Sequence, residues 1–495
     1  MFQRLIHSLV NNFDSLKNRT VFAVLFLISF IIRLPFFFRD YIDRDESTFI
    51  LMGQSWVDGH LPYTELWDLK PPIIFLFFAA IIYSFGKSFL AVRFFGVVIV
   101  ALTAFFTYKI GKTAQSKKIG LWSAVGCVLL LSLFGSLQGV MSEHICMLFF
   151  VPALYLLVRY KKLWAYCCAG LLFGLAVMSK LNIAYVILVV GLYLLYQHYT
   201  EKKFWTGVGH LVGMGSSLLF VILLTLLPYY LQGQTEIWWN SVVMAPIEYS
   251  ASQQNPIYKT APFCLIILAF LFFTWKKKVL NFNDGTVAIL IVTIIGIILM
   301  FLLGGRVNGH YLIQFHPIFI VLFAMVASQI ELFQSKKLLH YLPVILLLLP
   351  IESHLEYANI INNRWKKGTF YNGEGIDVPN YILEKDLETE NILFLEYHIG
   401  YWMLEATPPT VAATHPSNIL REALFPFYEN PRKTGLEELR YIMETIKPQT
   451  VITRKNRKAF DEQYEVANTY IESYLKDLYK LDTIIGNANV HQRLE

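Results

Sequence analysis

Two short stretches of this chain hold residues that could do chemistry. One is Asp45-Glu46. The other, roughly twenty residues on, is Trp67-Asp68-Leu69-Lys70-Pro71-Pro72. Together they bring three carboxylates and an ammonium into a loop between strongly apolar segments, where charge is costly to hold and is kept for a task. A carboxylate can take the proton of an attacking hydroxyl, so Asp45 or Glu46 is the candidate base. An ammonium can balance the charge of a departing phosphate, so Lys70 is the candidate phosphate partner. Pro71-Pro72 predicts a helix beginning directly after Lys70, because proline suits a first helical turn. The N–H groups of that turn also favour an anion. Asp68, two residues from Lys70, is placed to orient it by pairing. The plainer alternatives are an exposed acidic pair at a span end and a lysine that snorkels to the interface.

Further candidates recur along the chain. Glu143 lies in Gly139-Val140-Met141-Ser142-Glu143-His144 between two apolar runs. It could pair with a basic group or hold a substrate, or it could be a helix N-terminal charge favoured by the dipole. Glu143-His144 suggests a metal, but no second ligand cluster matches it, so a divalent metal stays unassigned. Arg306, in Gly304-Gly305-Arg306, has the fork that suits phosphate. His310, Tyr311 and Lys180 are possible donor or acceptor contacts, with His144 beside them. Arg93 reads as structural. Trp238, Trp239 and Tyr249 read first as interfacial anchors.

The elements that must position these groups follow from composition. The chain has 495 residues, 55% of them hydrophobic, and a mean hydropathy of +0.47. Apolar runs of spanning length recur over residues 21–350, and ordinary polarity returns after them. This predicts a multi-spanning membrane domain over 1–351 and a soluble domain over 352–495. The net charge of +6 does not point to nucleic acid. The basic residues sit in short clusters between apolar runs, as the positive-inside rule demands. All five cysteines fall in apolar segments, which excludes a disulfide framework. The first apolar run has no small-residue cleavage site after it and reads as a retained helix.

Topology decides which groups can meet. The run over 71–85 is about 22 Å long as a helix, against a membrane core of about 30 Å. Read as an interfacial helix, it leaves every basic cluster on the inner side and gives about eleven spans. The N-terminus is then inside and the C-terminal domain outside. Asp45, Glu46, Asp68, Lys70, Glu143, His144, Lys180, Arg306, His310 and Tyr311 all fall on the outer face. In the C-terminal domain, 391–395 and 450–453 read as buried strands, and 436–446 and 459–476 as helices. A small α/β layer results, read as a packing or acceptor-gripping appendage without catalysis.

An outer face lacks nucleotide sugars, and sugars reach it on polyprenyl phosphates. A phosphate leaving group needs no acid, only a cation, and the incoming hydroxyl needs a base. With these residues in place, the chain resembles the C-type glycosyltransferase superfamily. It is most similar to bacterial members of glycosyltransferase family 39, the group akin to protein O-mannosyltransferases and lipid A aminoarabinose transferases. The resemblance rests on Asp45-Glu46, Asp68-Leu69-Lys70-Pro71-Pro72, Gly86-Lys87-Ser88 with Arg93, Ser142-Glu143, residues 170–180, and residues 306–311 with Pro317. It runs over about residues 33–330. It implies an inverting transferase in a bacterial cytoplasmic membrane, with a polyprenyl-phosphate-linked sugar as donor. The acceptor would be a hydroxyl on a lipid, glycan or protein. Asp45 would be the base, Lys70 the donor-phosphate contact and Glu143 a second acidic residue of the site. The competing reading is a transporter or flippase for a lipid-linked or anionic substrate. It would need charges at mid-membrane and paired broken helices, which the sequence does not display.

Overall fold

The computed structural model describes residues 16–40, 43–331, 345 and 348–494. Helices dominate. In chain order they are α1 (Asn18–Arg33), α2 (Arg44–Val57), α3 (Pro72–Phe85), α4 (Phe89–Ala114), α5 (Lys117–Leu130) and α6 (Ser142–Arg159). There follow α7 (Leu163–Val177), α8 (Ile183–Thr200), α9 (Phe204–Leu231), α10 (Ile257–Lys276), α11 (Gly285–Gly304) and α12 (His316–Ala327). Among the described residues seven helices are long and apolar enough to cross a membrane: α1 with its extension to Phe38, α4, α6, α8, α9, α10 and α11. Of the other expected spans, α7 and α12 are shorter apolar helices and α5 has 14 residues. The last falls on residues outside those described. The expected short helix after Lys70 is α3, with Pro71 as its N-cap and Pro72 in its first turn.

Packing sorts the described residues into two compact units. The first takes in those of Met1–Phe36, Arg93–Thr225 and Gln253–Glu356, and the second those of Phe37–Val92, Leu226–Ser252 and Tyr357–Glu495.

In the first unit, α6 packs on α7, α8 on α11, and α5 on both α1 and α12. Lipid gives helices no hydrophobic reason to associate, so close backbone approach matters. Gly170 and Gly174, four residues apart on α7, provide it against α9. A Cβ at Gly170 would come within 2.1 Å of the Met214 carbonyl oxygen, and one at Gly174 within 2.7 Å of Val221 Cβ.

Between α5 and α6 the chain leaves helix while still inside the bundle, and Leu131, Leu133, Leu137, Val140 and Met141 are buried. Such a segment survives only if its carbonyls find donors. Arg33, at the end of α1 and itself buried, supplies four bonds. Nη1 donates to the carbonyls of Leu131 (3.2 Å) and Leu137 (2.8 Å), and Nη2 to those of Gln138 (3.1 Å) and Gly139 (2.7 Å). His144 adds another. Its Nδ1 accepts the Met141 N–H at 3.1 Å, so Nε2 carries the proton and faces the Leu131 carbonyl at 2.9 Å. The segment so held starts α6 at Ser142 and puts Glu143 in its first turn.

The second unit joins α2 and α3, packed on each other, to a mixed sheet of β1 (Ile392–Phe394), β2 (Thr450–Arg454), β3 (Tyr479–Ile485) and β4 (Ala488–Arg493). The sheet order is β1-β2-β4-β3. β1 and β2 are parallel, with Leu393 opposite Val451, while β4 pairs antiparallel with both β2 and β3. Leu393, Ile419, Leu439, Met443, Val451 and Ile471 share one core cluster. The expected strands at 391–395 and 450–453 are present. The helix expected from 459 begins at Glu465, after residues 459–464 have closed a loop. The β3–β4 hairpin turns at Gly486-Asn487, a two-residue loop type with its own sequence signature.

Arg33→Met would strip four buried carbonyls of their donor. The expected loss is about 3 kcal/mol or more, seen as a lower unfolding midpoint of the purified protein in detergent. Arg33→Lys would recover only part, since an ammonium lacks the fork. An unchanged midpoint in Arg33→Met would show that the segment satisfies its carbonyls without Arg33.

Candidate active site

Within the second unit the first loop gathers around Lys70. Asp43 caps α2 by accepting the Asp45 N–H at 2.9 Å. This sets Asp45 in the first turn, where the helix dipole favours its charge. Lys70 Nζ lies 3.4 Å from Asp45 Oδ2 and 3.6 Å from Asp68 Oδ2, and 5.5 Å from the centre of the Phe49 ring. Asp68 is buried, whereas Asp45 keeps 23% of its side chain exposed and Lys70 15%. A proton acceptor and a cation are thus held side by side at a surface a substrate can reach. Glu46, next in α2, is buried.

The loop itself is braced. The Tyr63 hydroxyl donates to the Lys70 carbonyl at 2.6 Å. Burial, with the charge of Asp68 and the neighbouring Tyr229, pushes that hydroxyl well above its ordinary range, so it remains a donor. Tyr63 adopts a positive φ of 73°, a conformation a bulky residue keeps only where its surroundings enforce it. Trp67 is fully buried, and its Nε1 donates to Ser241 Oγ at 2.9 Å. The stretch over 235–252 is helical, and Tyr249 there lies 5.2 Å from the Arg421 guanidinium.

The C-terminal part of the chain enters the same cluster. His415 Nε2 lies 3.4 Å from Asp45 Oδ1. Arg44 pairs with Glu396 and faces Ser417 Oγ at 3.4 Å. Thr48 Oγ1 and His398 Nε2 are 2.9 Å apart. The reading of this part as a packing or acceptor-gripping appendage without catalysis named none of these partners, because no motif marks His415 in Thr414-His415-Pro416-Ser417. Burial lowers the pKa of His415, against the raising pull of Asp45. Burial and the nearby His415 and Arg44 push His398 well below its usual range. At His415 the Nδ1 lone pair accepts the Ser417 N–H at 3.1 Å, as in a neutral ring.

A second cluster forms in the first unit. Lys180 Nζ meets Glu143 Oε1 at 2.7 Å, His310 Nε2 lies 4.0 Å from the same oxygen, and Ser142 Oγ donates to Glu143 Oε2 at 3.0 Å. The Tyr311 ring covers Lys180 Nζ at 4.7 Å from its centre. His310 and Tyr311 sit on the 3-10 turn Gly309–Gln314, ahead of α12. Gln314 on that turn exchanges hydrogen bonds with Asn182 at 3.1 and 3.3 Å, tying it to the Lys180 turn. Arg306 Nε donates to the Gln253 carbonyl at 2.7 Å. His144 has both ring nitrogens engaged by the backbone that precedes α6. Among the described residues no group of three or more His, Cys, Asp or Glu side chains gathers as a metal cage.

Residues 69–227 match the family described as dolichyl-phosphate-mannose-protein mannosyltransferase. No curated protein sequence matches the chain. Among solved structures, the fold is similar to ArnT from Cupriavidus metallidurans bound to undecaprenyl phosphate. The TM-score is 0.59 at 10% identity, over 96% of this chain and 97% of that one. The apo form of the same protein gives 0.58 at 10% identity, over 97% and 99%. The oligosaccharyltransferase AglB from Archaeoglobus fulgidus, in complex with an inhibitory peptide and a dolichol-phosphate, gives 0.46 at 12% identity, over 88% and 69%. Nearly the whole chain thus shares the fold of ArnT, residues 69–227 match the mannosyltransferase family model, and its seven long apolar helices make this chain a multi-pass membrane protein.

Proposed function

We propose that the protein is a membrane glycosyltransferase that moves a sugar, with inversion, from a polyprenyl-phosphate-linked donor to a hydroxyl acceptor on the outer face of a bacterial cytoplasmic membrane. The observation that carries this reading is the pairing of Asp45 with Lys70 at a partly exposed surface, held from both sides by buried groups. The lipid phosphate bound by ArnT supports a donor of the same chemical class. The acceptor oxygen attacks the anomeric carbon while its proton passes to the Asp45 carboxylate. The bond from that carbon to the phosphate oxygen breaks, and the polyprenyl phosphate leaves with the electron pair. Lys70 offsets the negative charge that grows on the phosphate. Asp68 keeps Lys70 in place.

Glu143, Lys180, His310 and Tyr311 are assigned to contacts with donor or acceptor, and Arg306 to the donor phosphate. The division at residues 351 and 352 separates the membrane domain from an extracytoplasmic domain. The acceptor is a lipid, glycan or protein carrying a free hydroxyl. No observation of its own favours the transporter reading.

Sugar transfer by purified protein in detergent tests this, with a panel of polyprenyl-phosphate sugars and a lipid extract of the host. Product is expected with wild type. Asp45→Asn should lose about 100-fold or more in turnover while still binding donor, and full activity would sink its assignment as base. Lys70→Ala should raise the KM for donor and lower kcat together. In a separate denaturation series, Lys180→Met leaves Glu143 buried without its ammonium and should cost about 3–5 kcal/mol. The double variant Glu143→Gln/Lys180→Met should be more stable than Lys180→Met alone. Additive losses would mean that the two side chains are not energetically coupled.

A further inference from the structure

We propose that His415 is a positioning residue for this transfer, donating its Nε2–H to Asp45 Oδ1 and so fixing the direction in which the carboxylate meets the acceptor hydroxyl. The inference rests on the reading of Asp45 as base and adds a group from the C-terminal part of the chain to the reaction.

The tautomer follows from the neighbours. His415 Nδ1 accepts the Ser417 N–H at 3.1 Å, so in the neutral ring Nε2 carries the proton. Nε2 lies 3.4 Å from Asp45 Oδ1, within reach of a hydrogen bond. A carboxylate held at one oxygen swings about a broad, two-fold torsion. Held by Lys70 at Oδ2 and by His415 at Oδ1, the Asp45 carboxylate has its plane set, and the lone pairs left over point in fixed directions. The holder is itself rigid. His415 is buried, it caps the 3-10 turn Pro416–Leu420, and Pro416 restricts its backbone.

The same geometry excludes a proton relay. Nε2 already bears hydrogen and has no lone pair for the proton that Asp45 gains, and Nδ1 is occupied by the Ser417 N–H. His415 therefore acts through Asp45, and the proton leaves Asp45 by another route.

Two substitutions separate the two nitrogens. His415→Asn keeps an acceptor for the Ser417 N–H, and hence the cap, but is too short to reach Asp45. His415→Gln places an amide N–H2 at the reach of Nε2. With the polyprenyl-phosphate sugar that wild type turns over, His415→Asn should lower kcat about tenfold or more. Its KM for that donor should not change, because Lys70 is untouched. His415→Gln should recover most of the loss, although an amide cannot relay a proton. Wild-type kcat in His415→Asn, a loss confined to KM, or His415→Gln as impaired as His415→Asn would each overturn the proposal. If the unfolding midpoint shows that Asn loosens the turn, His415→Gln decides alone. Activity near wild type then supports positioning, and a loss as deep as that of Asp45→Asn refutes it. Asp45→Asn in the same assay keeps the two readings apart. Full activity there removes Asp45 as base, whereas an inactive Asp45→Asn beside a fully active His415→Asn removes only His415.

Discussion

Polar groups inside an apolar chain have to be answered by partners, and that requirement shapes each part of this molecule. A bilayer offers no water to an exposed carbonyl, so a chain that breaks its helices inside the bundle must bring its own donors. Arg33 meets four carbonyls of the segment before α6, and the start of α6 depends on that segment. Glu143 then stands in the first turn of a buried helix, where an unpaired carboxylate would be untenable. Lys180 and His310 answer it. Arg33 holds the loop, the loop sets the helix start, and the helix start sets the carboxylate.

The second unit solves a related problem at a surface. A carboxylate and an ammonium side by side would lock each other into an inert ion pair if both were flexible. Here each has a second tie: Lys70 to Asp68 and Asp45 to His415. The backbone of Lys70 is held by Tyr63, and the first turn of α2 by Asp43, Arg44 and Thr48. With orientation set by these ties, the two side chains are aligned in advance for the transfer proposed above.

Much of this was legible in the chain, and the unread part has a physical cause. Asp45, Asp68 and Lys70 stood out because charges between apolar runs are conspicuous, and Pro71-Pro72 announced α3. The partnership of Glu143 with Lys180 was not legible, since one lies in the first turn of α6 and the other in the turn between α7 and α8, and no local rule joins them. Arg33 left a signal that could have been followed: it ends the first span on the side expected to be poor in basic residues, so it needed a partner inside the bundle. The 14 residues of α5 and the 12 of α12 fell short of whole spans because their ends give way to the turns that build the second cluster. His415 had no signal, because its function is set by a contact made across the chain and not by its neighbours.

The pairing of Arg44 with Glu396 closes a loop of 352 residues, and that of Thr48 with His398 one of 350. Contacts of such separation are paid for in chain entropy before they return anything, and they cannot form until the ribosome has made the later partner. A growing chain thus carries its acidic pair through synthesis and insertion with the first turn of α2 capped by Asp43 but still without these two ties. The geometry that the C-terminal contacts impose on that turn arrives only after a further 350 or more residues have been made, so maturation of the site is timed by translation itself.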